Sequence, residues 1–386
     1  MADASIIYFP VGNGDTSLIR LSDNTNILID CNITNKSKDN DEEKWYDLKD
    51  HLLKILRIDE AGASHLDLFV LTHPDQDHCL GLEDNFYLGD PNKFADSHKM
   101  DKKIFIDELW FTPRLFWPQE SEASLCPSAQ AILKESRRRM KVYREDRTQS
   151  SLPGNRLHVI GYSDNKRLEG LEDIIIVPGT HTDLINGGHK KDFSLFIHAP
   201  FRKYLESEDS ERNETSVVFQ ARFIVDGEDR AGLALFGGDA QFEIWRDILN
   251  RSDKRDLQWD LLLAPHHCSW TFFSENDYKE DPNPSKESME LLDNKRAGAI
   301  VVASCKPIKD DDDNPPHYLA AEKYKEIVGK GKFYVTMEYP SSKQPGSLEF
   351  EITKMGPQRK DPSRAGTVTS SAAVNKVVKM PQTYGF

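Results

Sequence analysis

His73-Pro74-Asp75-Gln76-Asp77-His78 follows directly on the apolar run Leu66-Asp67-Leu68-Phe69-Val70-Leu71-Thr72. The run reads as a buried strand. The hexapeptide delivers four potential metal ligands at its end, His73, Asp75, Asp77 and His78. Charge at that density beside a core is costly without an ion to balance it, so a metal site is the first expectation. A strand that stops on ligands also points to a layered α/β fold, because such sheets place their sites at strand C-termini.

Upstream, Ser5 to Phe9 and Thr16 to Leu21 read as short strands around Val11-Gly12-Asn13-Gly14-Asp15, whose glycines suit a tight turn. A third, Ile27 to Ile29, ends on Asp30. Between Glu43 and Arg57 the residues Trp45, Leu48, Leu52, Ile55 and Leu56 recur at the period of an amphipathic helix. Downstream, apolar segments recur at Ile174 to Val177, Phe193 to Ile197, Ser216 to Phe223 and Gly232 to Phe236. The last stops on Gly237-Gly238-Asp239 and leads into helical spacing at Phe242, Trp245, Ile248 and Leu249. Leu261 to Ala264 is another buried strand, and it stops on Pro265-His266-His267. A strand at Ala299 to Ala303, a helix from Tyr318 to Val328, and strands at Phe333 to Met337 and Leu348 to Ile352 complete the pattern.

Three strands therefore end on ligand types: the hexapeptide, then Asp239, then His266 and His267. A single histidine is ordinarily satisfied by common hydrogen bonds; it is the joint placement that favours a metal centre. A closed structural zinc site is not expected, because no cysteines have the spacing for it. Carboxylates mixed with imidazoles, one of them able to bridge, suit two ions with open positions for water and substrate.

The chain has 386 residues and a net charge of -14, an average that repels nucleic acid unless a local basic patch grips it. No apolar run approaches the roughly 20 residues of a membrane span. Met1-Ala2-Asp3-Ala4-Ser5 lacks a basic stretch, so no secretory signal is expected. Cys31, Cys79, Cys126, Cys268 and Cys305 are odd in number and form no C-x-x-C pair, which points to free thiols in a reducing cytoplasm.

From about residue 85 to 170 the pattern loosens into an expected insert or lid. Aromatics and prolines crowd between Leu109 and Pro118, suiting a buried corner or equally the rim of a pocket. Pro127 to Arg147 has helical composition and a basic cluster at Arg137, Arg138, Arg139, Lys141 and Arg144. Such a run is ordinarily a solvated face, yet in so acidic a chain it is the best candidate for holding a phosphate backbone. Residues 355–386, with Arg359, Lys360, Arg364, Lys376 and Lys379, read as a flexible basic tail after a single domain spanning 1–354. The insert and the tail are the expected surfaces for any protein partner.

Read in order, these segments resemble the metallo-β-lactamase superfamily, and within it the ComEC-type competence hydrolase domain and its soluble relatives. Val11-Gly12-Asn13-Gly14-Asp15 matches the family's V-G-x-G-D, Leu28-Ile29-Asp30 its L-I-D, and His73 to His78 its H-x-D-x-D-H, with Leu80-Gly81-Leu82 near the usual glycine-rich sequel. His198-Ala199-Pro200 and Asn213-Glu214-Thr215-Ser216-Val217-Val218 correspond to H-P-P and N-x-x-S. Gly238-Asp239, Pro265-His266-His267-Cys268-Ser269 and a late histidine, His317, follow in register. The resemblance implies an αββα sandwich of two mixed sheets with helices on the outer faces.

It also implies a site. His73 and Asp75 would hold one metal, Asp77, His78 and one histidine of the pair the other, with Asp239 bridging; His266 is preferred and His267 is the alternative. No histidine stands in the motif that completes the first metal site in many members, where Asn213 and Ser216 occur instead. Zinc and manganese both suit the donors. Asp77 would orient a hydroxide activated between the cations. His317 would protonate the leaving oxygen, or is a helix-start residue facing solvent. Asp15 and Asp30 would fix the ligand loops, or serve turns and caps. Cys79 and Cys268 read as small packing residues or as soft ligands. The expected activity is metal-dependent hydrolysis of a phosphodiester, most plausibly as a nuclease on DNA or RNA. Hydrolysis of a lactone, thioester or cyclic nucleotide is the alternative, and a partner-recruiting subunit with a vestigial site the second.

Overall fold

The computed structural model describes residues 3–34, 46–116, 125–164, 168–207 and 209–360. Within them, strands with period-two alternation build two sheets. In Ser5–Tyr8 and its continuation, Ile6 and Tyr8 join one core while Ile7 and Phe9 join another. In Trp259–Leu263 and the residue after it, Leu261 and Leu263 face the first core and Leu262 and Ala264 a third. Each strand thus has two apolar faces and is covered on both. The first core lies between the sheets, with Leu68, Val70 and Phe350 from one meeting Phe219, Phe236 and Leu261 from the other. The second lies under the helices Leu48–Ile55 and Pro127–Glu145, the third under Phe242–Arg251, Lys286–Leu292 and Tyr318–Val328. The result is a four-layer arrangement of helices, sheet, sheet and helices.

Both sheets are mixed in the same way. The first runs Ile175–Ile176, Arg156–Ile160, Ile104–Phe111, Ser64–Val70 and Asn26–Ile29 as parallel neighbours, then Ser17–Arg20, Ser5–Tyr8, Leu348–Thr353 and Gly356–Arg359 antiparallel. In the second, His181–Thr182, Phe193–Ala199, Val218–Val225 and Glu228–Phe236 are antiparallel, and Trp259–Leu263, Lys295–Ala303 and Phe333–Val335 continue in parallel. The parallel strands end in Asp30, Thr72-His73, Asp239, His266 and Ser304. Backbone bonds join these loops across the sandwich: Val217 N–H donates to Thr72 O at 3.0 Å and His266 N–H to Gly238 O at 3.0 Å.

Two expectations are corrected. Residues 85–170 do not stand over the fold as a lid, because they supply Ile104–Phe111, buried along its whole length between Ser64–Val70 and Arg156–Ile160. Gly356–Arg359, expected in the tail, pairs with Leu348–Thr353. The remaining tail lysines and arginines beyond Lys360 fall outside the described residues, as do Trp117 and Pro118. Among the described residues no helix is long and apolar enough to cross a membrane.

Candidate metal centre

Four imidazoles converge on the carboxylate of Asp239, and each is oriented from behind by its Nδ1. His78 Nδ1 lies 2.8 Å from Asp30 Oδ2, a carboxylate that also accepts from Thr72 N at 2.7 Å and Thr72 Oγ1 at 2.6 Å. His73 Nδ1 lies 3.1 Å from Thr72 Oγ1, and His266 Nδ1 lies 3.0 Å from Thr271 Oγ1. His267 Nδ1 donates to the carbonyl of Ser304 at 3.2 Å, with Asp15 Oδ1 3.4 Å away. Thr72 gives its hydroxyl proton to Asp30, and Thr271 donates to Ser269 Oγ at 2.9 Å. Both hydroxyls must therefore accept from the histidines. The Nδ1 contacts hold all four rings with Nε2 turned towards Asp239.

The inward atoms form two groups, one on each oxygen of Asp239. His78 Nε2 and His267 Nε2 stand 3.1 and 3.4 Å from Oδ1, with Asp77 Oδ2 3.2 Å from His267 Nε2. His73 Nε2 and His266 Nε2 both stand 3.7 Å from Oδ2, with Asp75 Oδ2 3.7 Å from His73 Nε2. This corrects the expected assignment of His266 to the Asp77 and His78 group: His267 belongs there, and His266 joins His73 and Asp75. The place where the sequence lacks a histidine is filled by the other member of the pair. The backbone explains it. His266, His267 and Cys268 have φ of 48°, 51° and 69°, a left-handed run rare outside glycine, and it turns successive side chains to different oxygens of Asp239.

Electrostatics fit a cation at this place. Burial alone would lower the basicity of His78 and His267, but Asp239 with Asp30, and Asp239 with Asp15, overcome it and hold both well above the ordinary imidazole range. Burial would likewise raise Asp239 and Asp77; the neighbouring histidines instead hold both carboxylates below their usual range. His73, whose Nε2 is buried without a hydrogen-bond partner, is pushed down by burial and by His78. An unpartnered Nε2, a carboxylate with imidazoles at both oxygens and a field that favours positive charge suit divalent ions with oxygen and nitrogen ligands. Asp15, His78, Asp239 and His267 also place ligand atoms within 4.8 Å of one another, all buried. Asp15 approaches His267 from its Nδ1 side, the side that also meets Ser304 O.

The remaining expected residues are placed as follows. Asp30, in the left-handed region, and Asp15 both act on ligand histidines. Gly14 is required beside them, because a Cβ there would lie 2.1 Å from Asn32 Nδ2 and 2.8 Å from Asp77 O. Ser216 is buried with its Cβ close to Gly238, while Asn213 begins the short turn before it. His317 is buried, against the solvent-facing alternative. Its N–H donates to Cys268 O at 3.0 Å and its ring packs on Tyr278 and Trp270, contacts that do not reach the four-histidine cluster. Cys79 and Cys268 lie in the outer cores, as packing residues do.

The basic helix does not present its cationic cluster as a unit. Arg139 is buried and donates to the carbonyls of Ile106 and Arg156, each at 2.9 Å, and to Glu135. Arg138 binds Glu135, Asn155 and Gly154 O, Arg144 binds Glu169 O, and Lys141 lies 3.8 Å from Glu145. Arg137 shares that helix. The cation that does reach the centre was not singled out from sequence: Arg212 Nη1 is 2.8 Å from Asp75 Oδ1, at the side where Asp75 and Asp77 are partly exposed. Its only linear signal is its place directly before Asn213.

No protein-family model matches this sequence, and no curated protein does. Among solved structures, a protein of Parabacteroides distasonis ATCC 8503, provisionally named a metal-dependent hydrolase, matches with a TM-score of 0.33 and 9% identity over 85% of this chain and 90% of that one. A likeness at that level adds nothing to the reading of the site, which stands on its own geometry.

Proposed function

We propose that the chain is a metal-dependent hydrolase of phosphodiesters, built on a metallo-β-lactamase-like sandwich. The observation that carries this reading is the convergence of four Nε2 atoms on the two oxygens of one buried carboxylate. His73, Asp75, His266 and Asp239 Oδ2 would hold one divalent ion, and Asp77, His78, His267 and Asp239 Oδ1 a second. Zinc or manganese in such a pair supplies Lewis acidity and brings the pKa of water towards neutrality. The protein's own part is positioning. Asp30, Thr72, Thr271, Ser304 and Asp15 hold the rings so that no reorientation is needed during the reaction. Asp77, partly exposed at the mouth, orients the attacking water, and Arg212 beside Asp75 draws an anionic oxygen of the substrate to the same mouth. Arg139 is buried and Arg138 is bonded within the protein, while Arg137, Lys141 and Arg144 are exposed on the same helix. The substrate is a cyclic nucleotide or a strand of DNA or RNA, and the test below separates the two.

The test incubates purified protein with Mn²⁺ or Zn²⁺ and bis(p-nitrophenyl) phosphate, cyclic nucleotides, and labelled single- and double-stranded DNA and RNA, beside Asp239→Ala and His267→Ala. Turnover of the small diesters that disappears in both variants is expected. Hydrolysis that survives Asp239→Ala would falsify the bridged centre. Processive cleavage of the polymers would select the nuclease reading.

A further inference from the structure

Cys79 and Cys126 lie 47 positions apart in sequence but bring their Sγ atoms to 3.7 Å. Cys79 immediately follows His78 on the one-turn helix Gln76–Cys79, and its thiol donates to the backbone carbonyl of Asp75 at 3.1 Å. Cys126 is the N-cap of the 19-residue helix Pro127–Glu145, where its Sγ accepts from Ala129 N at 3.4 Å. The two thiols differ in access: Cys79 is buried and Cys126 partly exposed. Contact with Cys79 and the amides of Ala129 and Ser128 hold the Cys126 thiol below the ordinary range, in the direction that favours a nucleophilic thiolate.

We propose that Cys126 and Cys79 are a modification site, a thiol pair that hydroperoxides convert to a disulfide and that thereby loosens the metal-ligand loop. The Cys126 thiolate attacks the outer oxygen of the hydroperoxide. An S–O bond forms, the O–O bond breaks, and the alkoxide leaves with a proton as alcohol, or as water when the oxidant is hydrogen peroxide. Cys79 sulfur then attacks the Cys126 sulfur; the S–S bond forms, the S–O bond breaks, and hydroxide departs with the Cys79 proton as water. The peroxide is reduced by the two electrons that the thiols lose. An S–S bond of about 2.05 Å draws the sulfurs together by roughly 1.6 Å and ends the Cys79 bond to Asp75 O. Because Cys79 adjoins His78 on a single turn, that motion is delivered directly to Asp75, Asp77 and His78. The link to metal retention rests on the metal reading above, whereas the disulfide does not.

The full-length chain is treated with hydrogen peroxide, and thiols are counted and peptides mapped by mass spectrometry. Loss of two of the five thiols with one crosslinked Cys79–Cys126 peptide is expected, reversed by dithiothreitol and abolished in Cys126→Ser. Sulfinic acid on Cys126 without a crosslink, a bridge through Cys31 instead, or unreacted thiols in the folded chain would each overturn the site. Mn²⁺ and Zn²⁺ affinities of the reduced and oxidised chain are then compared by titration calorimetry. A loss of tenfold or more on oxidation, absent in Cys126→Ser, is expected, and equal affinities with the crosslink present would remove the coupling. Should neither form take up metal, the metal reading fails while the mass measurement still decides the disulfide.

Discussion

Asp30 shows how much of the centre depends on residues that do not face it. It accepts three hydrogen bonds, two from Thr72 and one from His78, and so fixes both the strand end and the ring. Outer partners of this kind are worth about 10- to 100-fold in metal affinity. Asp30→Ala is expected to weaken Mn²⁺ or Zn²⁺ binding by about that factor in a calorimetric titration; an unchanged affinity would show that His78 is held by packing alone. Arg212 offers a separate handle. Arg212→Ala is expected to raise KM for a small phosphodiester by about tenfold while leaving kcat within about twofold, since it removes ground-state and transition-state binding alike. A fall in kcat with KM constant would instead place the guanidinium on the leaving group. Adjacent histidines could not be told apart in the sequence, because nothing linear announces three successive left-handed residues. Asp239, by contrast, was legible as a strand-end carboxylate of the site, because a strand, two glycines and a carboxylate make a recognisable ending.

At the scale of elements, helix Pro127–Glu145 teaches the opposite lesson about charge. Its basic residues suggested a surface for phosphate, but Arg139 reaches through the helix layer to the carbonyls of Ile106 and Arg156 on two neighbouring strands. Removing it takes away its bonds to those buried carbonyls and to Glu135, which keeps Arg138, at about 3 kcal/mol. Arg139→Met is therefore expected to lower the unfolding free energy by that amount in urea, with KM unaltered. Oligonucleotide binding that weakens while the urea midpoint stays put would reinstate the clamp. Strands with a dense apolar stretch were readable, Leu66 to Val70 within Ser64–Val70 and Ala299 to Ala303 within Lys295–Ala303. Ile104–Phe111 and Arg156–Ile160 were not. Each carries charged residues, Asp107 and Glu108 in one and Arg156 and His158 in the other, whose partners come from neighbouring strands, as Arg57 and His65 do and as His158 does for Glu108, or from a distant turn, as Asn186 does. Only the folded chain shows that those charges are satisfied.

Over the whole molecule, pH also acts through buried groups away from the four-histidine cluster. His198 is buried in the second sheet with Nδ1 3.0 Å from Ser252 Oγ and no partner on Nε2. Burial pushes it down to about 3. The unfolded chain takes up this proton near pH 6.5 and the folded chain only near 3, so stability is complete above about pH 6.5 and declines as pH falls through that window. The ceiling is on the order of 4 kcal/mol. His198→Gln is expected to flatten the dependence of the unfolding free energy between pH 6.5 and 4, measured by urea titration. An undiminished slope would assign the acid sensitivity to other residues.

Asp239 belongs to the second sheet, while Asp75, Asp77, His73 and His78 belong to the first, so the carboxylate is a rivet through both plates of the sandwich. A rivet reports on the fit of what it joins. Substitutions that let the plates slide, such as Phe219→Ala at the middle of their shared face, act far from any ligand yet change the spacing across which the carboxylate must reach. Under the proposed metal reading, the rate at which a chelator strips the protein would gauge how firmly the two sheets are pressed together. Neither half of the chain, expressed alone, should retain an ion that the joined halves hold.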